Sequence, residues 1–323
     1  MSNPCVSIIV PVYNVEPFLA DCLNTLINQT YPNIEIVCID DGSTDASASI
    51  LAKYKEQYQQ IKVITTENRG QAAARNLGLR EASGDFVMFV DSDDWLDTQA
   101  IETIFKENFF NQSNVDFACF GIRQVIDGRK LPHRSYSSNE VFTVSESLAL
   151  KISPEPVAKL YRSSFLRENN IQFPEGLWYE DITFYWSCFS YANQIGTITN
   201  VFYNYRKRND STMGNSKKKA RGMAIHHLYN LEILHKIWSK NQYLQKHKAL
   251  FEYLIELYVQ QAYKYLCDED KNEFVIKLRF LINQFDFKPK RFSLIFDLVN
   301  GNCIIPVKYR WVKSIRKRFL SSD

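Results

Sequence analysis

The sequence predicts an α/β protein, a largely parallel sheet with helices on its faces, followed by a smaller helical region. Three observations lead there. Strand-like apolar runs alternate with amphipathic helical runs over the first hundred residues, and one of them, Phe86 to Val90, passes straight into the carboxylates Asp91, Asp93 and Asp94. Past about residue 215 the strand pattern stops and the sign of the charge reverses. Alternation of this kind implies βαβ units around a parallel sheet.

Val6 to Val12 is a continuous apolar run, as expected of a strand covered on both faces, and it ends in Pro11-Val12-Tyr13-Asn14. From Pro17 to Thr30, residues Phe18, Leu19, Cys22, Leu23, Leu26 and Ile27 share one helical face. Ile34 to Ile39 is the second strand; the following Asp40-Asp41-Gly42-Ser43-Thr44-Asp45 is by itself a turn plus the cap of a helix reaching Tyr58. Ile61 to Thr65 is the third strand. Glu67-Asn68-Arg69-Gly70 then leads into a helix from Gln71 to Glu81 that contains Arg75 and Asn76. The fourth strand ends at Asp91-Ser92-Asp93-Asp94, and Asp97, ahead of Ala100, Ile101, Ile104 and Phe105, is expected to cap the next helix.

So much negative charge in one turn is unfavourable without a cation. A hard divalent ion held by one or two carboxylates, its other positions filled by phosphate oxygens and water, meets that need; a solvated acidic turn is the plain alternative. Strand ends of an open α/β sheet are where ligands bind. Glycines directly after the first strand, which a dinucleotide fingerprint requires, are missing, and there is no Walker P-loop. A dehydrogenase or P-loop NTPase is therefore not expected.

Taken in order, the four strand ends resemble glycosyltransferase family 2, inverting enzymes with the GT-A fold, a Rossmann-like mixed sheet with flanking helices that binds a nucleotide-diphospho-sugar. The resemblance is close over about the first third of the chain. It implies that Pro11, Val12 and Tyr13 flank the base and that Asp41 accepts from the uracil ring N–H. Asn68 and Arg75 lie nearby, Arg75 directed to the phosphates or the acidic turn. Asp91, Ser92 and Asp93 belong to the donor site: Asp91 reaches the ribose, and Asp93, with Asp91 beside it, holds Mn²⁺ or Mg²⁺ on the diphosphate. Asp94 is either a supporting carboxylate or a helix-start residue.

In Trp178-Tyr179-Glu180-Asp181, ahead of an aromatic helix from Ile182 to Tyr191, the resemblance implies an acidic catalytic pair, Glu180 and Asp181, with Asp181 as the base that deprotonates the acceptor hydroxyl. Without it, the pair is favourable charge at a helix N-terminus. Trp178 is an acceptor-sugar platform or a half-buried structural indole. After a strand-like run from Ile195 to Phe202, the segment Tyr203 to Ser211 is similar to the one that closes these catalytic domains, which implies that Arg206, Arg208 and Ser211 complete a diphosphate clamp. Lys217 to Lys219 would order over the donor.

The expected organisation is a catalytic domain over 1–215, with a donor half to about 97 and an acceptor half beyond it, and a basic helical domain over 216–323. Residues 1–215 hold 18 Lys and Arg against 26 Asp and Glu, and residues 216–323 hold 21 against 10, so the net +3 hides opposite halves. In the tail, Lys308, Arg310, Lys313, Arg316, Lys317 and Arg318 interleave with Trp311, Val312, Ile315, Phe319 and Leu320. This basic amphipathic pattern fits an anionic membrane surface, or a helix packed on its own domain. The seven dispersed cysteines are expected to be reduced core thiols, and His226 and His227 structural. With no signal peptide or spanning run, the expectation is a cytoplasmic protein, peripheral on the inner membrane face, with no nucleic-acid partner. The functional expectation is an inverting transfer from a UDP-sugar donor to a hydroxyl of a glycan or glycolipid acceptor in cell-surface polysaccharide synthesis. The alternative is a non-catalytic nucleotide-sugar binding or scaffold protein.

Overall fold

The computed structural model describes residues 3–107, 109–112, 114–208 and 222–289, with 295, 298 and 299. Ser211, Lys217 to Lys219, Cys303 and the basic segment Lys308 to Leu320 lie outside the described residues. The chain begins with β1 (Val6–Val12), α1 (Glu16–Ile27), β2 (Ile34–Asp40), α2 (Ser47–Gln57), β3 (Ile61–Thr65), α3 (Gln71–Glu81) and β4 (Phe86–Phe89). It continues with β5 (Trp95–Leu96), α4 (Ala100–Lys106), α5 (Phe109–Gln112), β6 (Phe117–Ile126), β7 (Arg129–Arg134) and β8 (Glu140–Thr143). Then come α6 (Glu146–Lys151), β9 (Lys159–Arg162), α7 (Ser163–Glu168), α8 (Glu180–Tyr191) and β10 (Gln194–Arg206). The described helices that follow are α9 (Met223–Lys240), α10 (Tyr243–Lys246), α11 (Lys248–Tyr263) and α12 (Lys271–Gln284).

By packing, the described residues fall into two units, one drawn from 1–144, 154–176 and 191–208, the other from 145–153, 177–190 and 209–323. The second unit thus takes in two segments that precede residue 215.

The first unit is built on one mixed sheet in the order β3-β2-β1-β4-β9-β6-β10-β5, with β7 on β6 and β8 on β10. β1 is buried along its whole length and pairs in parallel with β2 and β4. The loops after these strands therefore leave from one sheet edge, which is what collects the motifs. α1 buries Leu19, Cys22, Leu23 and Leu26, and α3 packs through Ala72, Ala73, Ala74 and Gly78. The small residues let α3 lie close to β1: a Cβ on Gly78 would overlap the Ile9 side chain. β9 runs antiparallel to both β4 and β6, joining the parallel half to the β6–β10 pair.

Three local expectations are corrected. Asp97 does not cap α4, whose cap position is Gln99; its carboxylate accepts from Asn204 Nδ2 at 2.8 Å because β5 pairs with β10 there. β10 runs on from Phe202 to Arg206, held by its ladder to β6 as far as Val125. α8 starts at Glu180, with both acids inside its first turn.

The second unit is helical. α9 buries Leu228, Leu231, Leu234 and Trp238, and α11 buries Leu250, Leu254 and Tyr258. Trp186 of α8 donates to the Tyr258 hydroxyl at 2.8 Å, and Trp238 donates to the Trp186 carbonyl at 3.3 Å, so both buried indoles are satisfied. Among the described residues the cysteines are free thiols, and burial pushes Cys38 up to about 12 and Cys119 up to about 11, which makes them poor nucleophiles. No described helix is long and apolar enough to cross a membrane.

Candidate functional site

In the first unit, the acidic turn after β4 is held from three sides. Asp91 Oδ1 accepts from Arg75 Nη2 at 2.8 Å and from Gln71 Nε2 at 3.0 Å, both on the opening turns of α3. Arg75 is itself buried and lies over the Phe173 ring, 5.2 Å from its centroid. Asp93 pairs with Arg208 at 2.8 Å. Ser92 is buried, and Asp94 fully so; its carboxylate accepts from the Tyr203 hydroxyl and the Arg206 backbone N–H, each at 2.7 Å. The same Tyr203 oxygen accepts the Asp91 N–H at 3.1 Å. Asp94 is therefore a pin between the turn and the end of β10, not the start of a helix.

The two arginines share an aromatic support. Arg206 donates from Nε to the Asp93 carbonyl at 2.9 Å and from Nη2 to Asp21 at 3.1 Å, and its guanidinium lies over Phe18 (5.0 Å) and Trp95 (4.8 Å). Arg208 lies over Phe18 at 4.7 Å. Stacking on apolar rings fixes a guanidinium plane without consuming its donors. Both arginines thus sit at the turn, Arg206 on its backbone and Arg208 on its carboxylate.

The carboxylates of the turn are perturbed. Burial and then the Asp91 charge raise the Asp93 carboxyl, with Arg208 pulling it back, and burial, Asp91 and Asp93 push Asp94 well above the ordinary carboxylate range. A turn in that state gains from one more cation. No described set of three acidic, histidine or cysteine side chains could hold a metal alone. An ion held here would have to draw most of its ligands from phosphate oxygens and water, as Mg²⁺ does with diphosphates.

At the end of β1, Pro11 and Val12 are buried while Tyr13 is 47% exposed at the sheet edge. Asn14, at φ 50°, joins this loop to the next by accepting from the Thr44 N–H at 2.8 Å. Asp41 is buried, its two oxygens taking the Arg69 and Gly70 N–H groups at 2.8 Å each. It shapes the loop, and each oxygen keeps a further lone pair for a ligand donor. Gly42, at φ 74°, allows that loop to close, since a Cβ would lie 2.9 Å from the Asn68 nitrogen. The Asn68 side chain is exposed.

Several residues here escape sequence reasoning. Asn76 exchanges hydrogen bonds with the Phe173 backbone at 2.9 Å and reaches Glu175 at 3.1 Å, and Glu175 also pairs with Arg69 at 2.8 Å. This ties the loop at 173–175 to α3 under Arg75. Asp21 and Trp95 act likewise through contacts distant in sequence, and no local pattern marks them, while Phe18 and Tyr203 stand in patterns that the sequence shows but that do not announce these contacts.

In the second unit, Trp178 is half-buried and Tyr179 turns the chain at φ 61°. The Tyr179 carbonyl accepts the Ile182 N–H at 3.1 Å, and Asp181 Oδ1 accepts the same N–H at 3.0 Å. Burial and the neighbouring Tyr265 and Asp181 push the Tyr179 hydroxyl up to about 12. α9 holds the turn from outside: His226 Nδ1 accepts the Trp178 N–H at 3.1 Å, and Asn230 Nδ2 donates to the Trp178 carbonyl at 2.9 Å.

The profile of Glycosyl transferase family 2 matches residues 7–173, more than half of the chain, so the protein belongs to that family. It is 34% identical over 212 residues to the poly(ribitol-phosphate) beta-glucosyltransferase of Bacillus spizizenii, covering 64% of this chain and 32% of that protein. To the poly(ribitol-phosphate) beta-N-acetylglucosaminyltransferase TarS of Staphylococcus aureus (strain Mu50) it is 31% identical over 210 residues, 63% of this chain and 36% of TarS. The chain thus spans about a third of the length of these two relatives. The crystal structure of S. aureus TarS 1–349 in complex with UDP-GlcNAc aligns with a TM-score of 0.59 and 23% identity over 92% of this chain and 91% of that one. The fold is accordingly the GT-A arrangement with a helical C-terminal region.

Proposed function

We propose that this protein is an inverting glycosyltransferase that moves a sugar from a UDP-sugar to a hydroxyl of a cell-surface glycan or glycolipid. The observation that carries this is the acidic turn Asp91 to Asp94 at the sheet edge, pinned by Tyr203 and faced by Arg75, Arg206 and Arg208. Family membership and the UDP-GlcNAc complex of a fold neighbour support the donor class.

In this reading Pro11, Val12, Tyr13, Asp41 and Asn68 form the uridine side, and Asp91 reaches the ribose. A divalent ion on Asp93 and Asp91 would supply positive charge to the departing diphosphate. Arg206 and Arg208, with Ser211, hold phosphate oxygens, whose bidentate geometry suits guanidinium. Asp181 takes the acceptor proton as the acceptor oxygen bonds to the anomeric carbon and the bond to the diphosphate breaks, its electron pair leaving on UDP. Trp178 offers an apolar face to the acceptor sugar. The basic segment Lys308 to Leu320 would hold the enzyme on the anionic inner face of the membrane, near a glycolipid acceptor.

The test is donor turnover with a panel of UDP-sugars, with the product anomer read by NMR. Inversion of the donor configuration, and loss of turnover by about 10² to 10⁴ in Asp181→Asn with UDP affinity kept, are expected. A retained configuration would overturn single displacement, and UDP binding without turnover would favour the non-catalytic nucleotide-sugar binding or scaffold protein.

A further inference from the structure

We infer that His226 and Asn230 on α9 are positioning residues for the proposed base, forming a clamp that fixes the Trp178–Asp181 turn. This rests on the reading of Asp181 as the base. All the groups involved lie in the second unit.

The turn needs such a clamp because it is unfavourable by itself. Tyr179 occupies the left-handed region at φ 61°, a conformation that a bulky non-glycine residue keeps only when its surroundings impose it. What opposes this is a set of contacts from one face of α9, at i and i+4.

His226 accepts the Trp178 N–H through Nδ1 at 3.1 Å, so the ring is neutral with its proton on Nε2. Asn230 is buried and makes contacts on both sides of the acid pair. Its Nδ2 donates to the Trp178 carbonyl and to the His226 carbonyl, each at 2.9 Å, while its Oδ1 accepts from the Thr183 hydroxyl at 2.7 Å. Reversing the amide would face oxygen against two carbonyls, so the orientation is determined by the partners. Trp178 and Thr183 bracket Glu180 and Asp181 in sequence, and one amide therefore holds the Trp178 backbone on one side of the pair and the Thr183 side chain on the other. The His227 ring adds a stack on Tyr179, with centroids 4.1 Å apart at 18°.

A base has to meet its proton within hydrogen-bond reach, and a displacement near 1 Å can cost about 100-fold in rate. Loss of the clamp should act on that geometry and not on the donor. His226→Leu removes the acceptor, His226→Asn restores an oxygen near the place of Nδ1, and Asn230→Ala removes both ends of the bracket.

The experiment measures kcat and donor KM with a soluble acceptor, UDP affinity by calorimetry, and amide hydrogen exchange, on the full chain. His226→Leu and Asn230→Ala should lower kcat about 10- to 100-fold with donor KM and UDP affinity unchanged. His226→Asn should recover most of the loss, and Asn230→Ala should add little in an Asp181→Asn background. Normal kcat in folded His226→Leu and Asn230→Ala, with Asp181→Asn inactive, overturns the clamp alone. Full turnover in Asp181→Asn overturns the base assignment, and the clamp with it. Should either variant fail to fold, the wild-type Trp178 amide decides: protection from exchange supports the clamp, and exchange at the rate of an open loop overturns it.

Discussion

His227 offers a measurable link between burial and acid stability. Its ring is 1% exposed, neither nitrogen has a hydrogen-bond partner among the described residues, and burial, aided by His226, lowers its pKa from 6.5 to about 4. The folded ring therefore stays neutral where the unfolded one takes a proton. Above pH 6.5 neither state is charged and the full stability is present. As pH falls from 6.5 towards 4 only the unfolded state binds the proton, at about 1.4 kcal/mol per pH unit, which comes to about 2 kcal/mol by pH 5 and about 3 kcal/mol by pH 4. Below that both states are charged and the loss stops growing. His227→Phe keeps a ring between Tyr179 and Tyr258 and removes the titration, so it should be at least as stable as wild type at pH 7.5 and about 2 kcal/mol better at pH 5. Urea unfolding followed by the fluorescence of Trp186 and Trp238 reports on this unit. Identical pH slopes for the two proteins between pH 7.5 and 5 would refute the reasoning.

Tyr203→Phe leaves the buried Asp94 carboxylate and the Asp91 N–H each short of a partner, so unfolding in urea should show a loss of about 2 kcal/mol. Gly78→Ala drives a methyl group into Ile9 and should cost about 1–3 kcal/mol, visible as a lower melting temperature. Asp93→Ala should abolish the metal-dependent part of UDP binding in calorimetry, as EDTA does to wild type, while circular dichroism stays native. Removal of residues 308–323 should release the protein from anionic liposomes and leave transfer to a soluble acceptor intact, and the wild-type association should weaken with salt.

The parallel half of the fold was legible because its rules are local. Buried strands read as apolar runs, helices as faces, and strand ends as turn residues, so β1 to β4 and α1 to α3 fall within a few residues of expectation. The antiparallel half was not, since β9 enters between β4 and β6 from far along the chain and nothing near Lys159 announces it. The same holds at the site. Asp91, Asp93 and Arg75 could be picked out in sequence, whereas the pairing of Asp94 with Tyr203 and the stacking of two arginines on Phe18 depend on residues brought together only by β10 and α1. Asp97 shows the same limit: a local capping signal lost to a partner, Asn204, delivered by the sheet.

The pin between Asp94 and β10 also dictates when the site can exist during synthesis. Strands β1 to β4 all precede β10 in the chain, so their parallel pairings, Val6 with Ile34 and with Phe86 among them, become possible first. The acidic turn has then only Arg75 as a counter-charge, for Tyr203, Arg206 and Arg208 are more than a hundred residues away along the chain. Contacts of such separation form late, after the loop entropy of the intervening chain has been overcome. A nascent chain halted after β9 would carry the four parallel strands and their motifs yet hold an acidic turn still in mutual repulsion. The arginine side of the proposed site is thus completed last, after the motifs of β1 to β4.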